Sequence, residues 1–117
     1  MNFEQYTNIP HAQMNCLALV QFVLGREFGR KLDVPSHADL LTVHEQAFPE
    51  RAGAMRADSP DVGDVVLFDR KPYAHVGLLI GGGYVLHSLE EDGSRIDRLA
   101  VLSKRMKIEG YYRAAST

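Results

Sequence analysis

The chain has 117 residues, 45% hydrophobic and 24% charged, and its 13 basic and 15 acidic side chains leave a net charge of −2. At that length one domain with a sizeable core, spanning residues 1–117, is expected rather than two. The near-neutral balance excludes the basic footprint of a nucleic-acid binder, and without an apolar run of 18 residues no membrane-spanning helix is expected.

The N-terminus, MNFEQYTNIP, has neither the basic start nor the apolar stretch of a signal peptide, so synthesis in the cytoplasm is expected. Residues 1–14 read as an irregular lead-in. From Cys16 the pattern changes: Leu17, Val20, Leu24 and Phe28 recur at helical spacing, and Leu19, Phe22 and Val23 widen the apolar surface. A helix apolar on most sides belongs at the centre of a domain. Asn15 suits its N-cap and Gly29 its C-terminal stop. Ser36 and Asp39, after Pro35, resemble a capping box that opens a second helix to about Phe48, before Pro49.

Residues 50–63 show little periodicity and read as a connecting loop. Asp64–Phe68 is a short apolar strand entered through Gly63. His75–Ile80 and Tyr84–Leu86 are two apolar runs split by Gly81, Gly82 and Gly83, the mark of a β-hairpin. If the three glycines form the loop, Ile80 pairs with Tyr84 and Gly77 falls opposite His87. Side chains repeat every two residues along a strand, so His75 and His87 share a face. As diagonal neighbours they stand roughly 7–8 Å apart at Cβ, within reach of two imidazoles. A turn at Glu91-Asp92-Gly93, a strand over Ser94–Leu99 and a last strand over Ile108–Arg113 complete an α+β domain, helices first and an antiparallel meander after.

Three residues carry chemistry. Cys16 is the only cysteine, so the chain has no internal disulfide. A thiol is nucleophilic only as thiolate, and a helix start favours an anion. A neighbouring imidazolium strengthens this further; such pairs lower a thiol to a pKa of about 3–4. Cys16 then serves as nucleophile, His75 as base and His87 as the group that orients the base. The Cys16 backbone N–H is a candidate oxyanion donor. Two other readings stay open: a buried, inert cysteine filling the core, and a zinc site of the same Cys and two His, which lacks the usual closely spaced Cys pairs. His11, His37 and His44 read as ordinary surface residues.

NCLALVQFV, then GDVVLF, then HVGLLIGGGYVLHS with twelve residues from His75 to His87, resemble the NlpC-type papain-like cysteine peptidases. In that family a cysteine box opens the central helix and a His-Val-Gly strand leads to a second histidine. The closing GYYR is similar as well, and the LGREFG and VLHS details look most like the branch of phage tails and prophages. The resemblance implies a papain-like fold, with N-terminal helices packed on an antiparallel sheet of about four to six strands. It implies a thiol protease or amidase acting on the stem peptides of bacterial peptidoglycan, with Cys16, His75 and His87 in the triad positions and no cofactor. The implied partners are the stem peptide and phage tail proteins, and the site of action is the cell wall, reached from a virion tail or after export. Tyr6 takes the place of the family's tyrosine ahead of the cysteine, and Asn15 stands where the family has aspartate. Both are substrate-side candidates. The box Asn15-Cys16-Leu17-Ala18 departs from the family's Asp-Cys-Ser-Gly. A CHAP-type amidase, whose third member is usually acidic or an amide, fits the HVG…H spacing less well. A non-catalytic tail-assembly or binding module and an exported antibacterial amidase are the functional alternatives.

Overall fold

The computed structural model describes residues 2–35, 52–71 and 74–117. The expected helix from Ser36 to Phe48, with His37 and His44, lies outside the described residues.

Asn15 caps helix α1 (Cys16–Val23): its side chain accepts a hydrogen bond from the Ala18 N–H at 2.9 Å. The helix continues through one wider π-helical turn, Leu24–Phe28, and stops at Gly29, whose φ of 60° only glycine adopts at little cost. Among the described residues seven strands follow: β1 (Arg30–Lys31), β2 (Ala54–Arg56), β3 (Val65–Asp69), β4 (His75–Gly81), β5 (Tyr84–Leu89), β6 (Gly93–Arg98) and β7 (Lys107–Ser116). A second described helix, α2 (Leu99–Arg105), joins β6 to β7. The sheet order is β1-β7-β3-β4-β5-β6, with β2 also on β7, and every pairing is antiparallel. This is the expected helix-on-antiparallel-sheet architecture; among the described residues the sheet gains two very short strands, β1 and β2, that attach to the long β7.

The sheet is covered on both faces. α1 supplies Leu17, Leu19, Val20 and Val23 to a core with Val65, Leu67, Val76, Leu78 and Leu86. The alternate residues Val66, Phe68, Leu79 and Val85 pack with Leu102 of α2. β3 lies between two apolar layers, which explains its unbroken Val-Val-Leu-Phe run in place of alternation. Two expectations need correction. Residues 54–56, read as loop, form β2, whose exposed Met55 and Arg56 give no strand-like apolar signal. The strand expected to reach Leu99 stops at Arg98, and α2 begins there. Its apolar spacing, Leu99, Leu102 and then Met106, is helical and packs on the sheet.

The lead-in is tied to the sheet rather than loose. The Asn8 N–H donates to the Ser94 carbonyl and the Ile9 N–H to Ser94 Oγ, both at 2.8 Å, while the Ser94 N–H returns a bond to the Ile9 carbonyl. These bonds satisfy part of the edge of β6. Asp64, in the Gly-Asp pair ahead of β3, is fully buried. Arg113 of β7 donates to both of its carboxylate oxygens, at 2.9 and 2.8 Å, and the Asp61 N–H donates at 2.8 Å. A buried carboxylate needs such partners, so the Gly-Asp pair fastens the start of β3 to β7.

The hairpin keeps the expected parity by a different route. Leu78 pairs with Leu86 and Leu79 with Val85, the register that sets Gly77 opposite His87. Gly81, not Ile80, pairs with Tyr84, so the turn is Gly82-Gly83 with a bulge beside it. Both turn glycines have positive φ, at 64° and 81°, as a tight two-residue hairpin turn demands. The extra bulged residue and the shorter turn cancel, and the two histidines stay on one face.

That face has no room at Gly77. A Cβ there would lie 2.5 Å from Val85 Cγ1, 3.3 Å from Val66 Cγ1 and 3.5 Å from His87 Cβ. Gly77→Ala is therefore expected to lower stability by about 1–3 kcal/mol, outweighing the ~0.5–1 kcal/mol that alanine gains over glycine in a strand. Adding Val85→Ala, which removes the nearest atom, should recover part of the Gly77→Ala loss. Denaturant midpoints of the two singles and the double test this, and losses that simply add would refute the contact.

Candidate active site

Three elements meet at one end of the sheet. α1 begins at Cys16, β4 begins at His75, and β5 carries His87 in its middle. α1 packs on β4 and β5. Cys16 is 1% exposed, His75 2% and His87 0%. The Cys16 sulfur lies against backbone N–H groups of Val76, the residue after His75, and of Cys16 and Leu17 in the first turn of α1. The Asn15 cap occupies the Ala18 N–H, and the Asn15 carbonyl accepts from the Leu19 N–H. The first two amides of the helix are thereby left for the sulfur.

The structure brings His75 and His87 together. His75 Nε2 and His87 Nδ1 are 2.9 Å apart, with ring centroids 5.2 Å apart in an edge-on arrangement at 77°. Phe68, paired with His75 across β3 and β4, lays its ring 5.7 Å from the His75 imidazole and fixes it from the other side.

Asp97, which no sequence motif singles out, extends this pair. His87 Nε2 lies 2.7 Å from Asp97 Oδ2 on β6. Arg95 donates from Nη2 to Asp97 Oδ1 at 3.0 Å, and its Nε is 2.8 Å from Oδ2. The signal was parity again: Arg95 pairs with His87 and Asp97 with Val85, so Asp97 is diagonal to His87 on the same face. Burial pushes the Asp97 carboxyl up, but the hydrogen bonds from His87 and Arg95 outweigh it and hold the group below its ordinary value. Asp97 is a carboxylate at neutral pH.

Electrostatics at Cys16 run against one expectation. Burial pushes the thiol up, and the backbone N–H groups and Arg70 offset only part of this. At rest the buried sulfur favours the neutral thiol, not a standing thiolate. Burial also lowers the His87 pKa, more than Asp97 raises it, so His87 is neutral near pH 7.

Of the remaining candidates, Asn15 serves as the cap. Tyr6 is buried against Phe3 and Phe22, and its hydroxyl donates to Glu27 Oε1 at 2.7 Å. Among the described residues no three His, Cys, Asp or Glu side chains are placed to hold a metal ion.

The low pKa of His87 makes a signed prediction for stability. Its ordinary value is 6.5, so on acidification the unfolded chain takes up the proton first. Stability from this group is intact above pH 6.5 and declines as the pH falls through 6.5 toward the folded-state value. Urea unfolding between pH 7.5 and 5 should show this decline, and His87→Gln should flatten it. An equal slope in both proteins would show that His87 is not buried neutral.

Three comparisons with known proteins bear on this arrangement. The model of the NlpC/P60 family matches residues 5–110. No curated protein matches the chain. Among solved structures, the crystal structure of the NlpC/p60 domain of the peptidoglycan hydrolase SagA superposes with a TM-score of 0.61. It is 12% identical over 96% of this chain and 92% of that one, and shows the same fold.

Proposed function

The chain belongs to the NlpC/P60 family, and on that footing we propose that it is a cysteine peptidase or amidase hydrolysing amide bonds in peptidoglycan stem peptides. The observation that carries the proposal is the His75–His87 pair at 2.9 Å beside the start of α1, where backbone N–H groups gather at the Cys16 sulfur.

The chemistry follows from the resting state. Cys16 starts as a thiol, so its proton moves to His75 as Sγ attacks the carbonyl carbon of the scissile amide. The oxyanion that forms is met by the N–H of Cys16, at a helix end whose amides have no partner within the helix. His75 then gives its proton to the leaving amine, and a thioester remains on Cys16. Water, deprotonated by His75, hydrolyses the thioester and restores the thiol. His87 holds His75 in position throughout. Asn15 and Tyr6 act at one remove, the first by capping α1 and the second by bracing its far end through Glu27.

The delivery route, a virion tail or prophage system with tail proteins as partners, is supported by the LGREFG and VLHS wording of the sequence. Action at the cell wall after export is the alternative. A second functional reading is favoured by the burial of Cys16: a module that kept the fold and binds the wall without cutting it.

Digestion of purified sacculi separates these readings. The wild-type protein should release new amino groups, and Cys16→Ala should abolish release with the fold intact. His75→Asn should be inactive. His87→Gln, whose amide oxygen accepts a hydrogen bond, should retain measurable activity, whereas His87→Leu should lose about 10³- to 10⁴-fold. Binding without release by the wild type on every sacculus type would favour the binding module. Release that survives Cys16→Ala would refute the cysteine mechanism.

A further inference from the structure

Two histidines in contact pose a question of tautomer. Each neutral imidazole has one N–H and one lone pair, and only one of the facing nitrogens can donate. If His87 carries its proton on Nδ1, His75 must present a lone pair at Nε2. Its own proton then sits on Nδ1, and it has no base left for a thiol. If His87 carries its proton on Nε2, the chain of bonds runs the other way.

We propose that Asp97 decides this, as a positioning residue that acts through both histidines. Asp97 Oδ2 is a carboxylate oxygen 2.7 Å from His87 Nε2, and a carboxylate only accepts. His87 Nε2 therefore bears the hydrogen, and Nδ1 bears the lone pair. At 2.9 Å that lone pair requires His75 Nε2–H as its donor. His75 then has its lone pair on Nδ1, the nitrogen not turned toward His87. The relay reads Asp97 Oδ2, H–Nε2 of His87, Nδ1 of His87, H–Nε2 of His75, Nδ1 of His75. When Nδ1 takes the Cys16 proton, no other hydrogen has to move, because His75 Nε2–H already points at its acceptor.

Arg95 completes the device. Its guanidinium reaches both Asp97 oxygens, at 3.0 and 2.8 Å, and Asp92 reaches Arg95 Nη1 at 3.3 Å. Two donors on one carboxylate keep it ionised and fix its plane. β6 thus sets the protonation pattern of the base two strands away. The NlpC/P60 reading supplies the role of His75 as base, and the inference rests on it. The tautomers can be read without any turnover, so the two fail separately.

The test is ¹⁵N NMR of the histidine side chains in the resting protein at pH 7.5, with His75→Gln and His87→Gln for assignment. The wild type should show both His75 and His87 as Nε2–H tautomers. Asp97→Leu, shown by its thermal melt to be folded, should give His87 a mixture of tautomers or the Nδ1–H form. Its kcat should fall about 10- to 10³-fold with KM held within a few-fold, since the base and not the binding surface is altered. A wild-type His87 in the Nδ1–H form overturns the inference with no variant needed. So does an Asp97→Leu protein whose His87 remains wholly Nε2–H and whose kcat is unchanged. If instead Cys16→Ala still cleaves, the cysteine mechanism falls while the tautomer result stands.

Discussion

The hydrogen bond between His75 Nε2 and His87 Nδ1 depends on one register, that of β4 against β5. A slip of one residue would send His87 to the face that α1 covers and put Leu86 or Ser88 where the imidazole stands. Several features hold that register. Gly82 and Gly83 supply the two positive φ values of a tight turn, and the bulge beside Gly81 absorbs one residue. Gly77 offers no side chain where Val85, Val66 and His87 crowd together. Apolar layers on both faces then penalise any slip, because each shifted residue would exchange its whole environment.

Cys16 poses the opposite constraint. Its thiol is buried and favours the neutral form, yet nucleophilic chemistry requires the anion. The backbone N–H groups at the sulfur and the Asn15 cap that leaves them available counter part of the burial cost. In the proposed mechanism the rest falls to His75. Under that mechanism this places weight on which nitrogen of His75 faces the thiol, and so on the strand carrying Asp97. The N–H groups at the sulfur are local and fixed by the backbone, whereas the contact that reaches His75 through His87 comes from Asp97 on β6.

Much of this was legible in the residues themselves. Asn15, the apolar spacing from Leu17 to Phe28 and Gly29 mark α1 with its cap and stop, and the hairpin parity placed His75 and His87 on one face. What escaped has physical causes. Met55 and Arg56 are exposed on a three-residue strand, so β2 leaves no periodic trace and exists only because β7 pairs with it. α2 follows β6 with no polar cap, as Arg98 makes no side-chain capping bond, so its start lacked a signal. Asp97 was within reach, since the same parity that aligns the histidines aligns it. A lone aspartate in a charged Arg-Ile-Asp-Arg stretch looks like a solvated strand face until the partner strand is known. The thiol's state could not be read, because helix position argues for the anion and burial against it, and only the structure weighs the two.

The proposed function rests on attack by Cys16 on the substrate with His75 as its base. Intact-mass analysis after acid quench of a stem-peptide digest addresses it most directly. A fraction of wild-type protein should be heavier by the acyl portion of the substrate, mapped to Cys16 and discharged by hydroxylamine, with no such adduct in His75→Asn. An adduct on any other residue, or cleavage of the peptide with Cys16 never acylated, would contradict it.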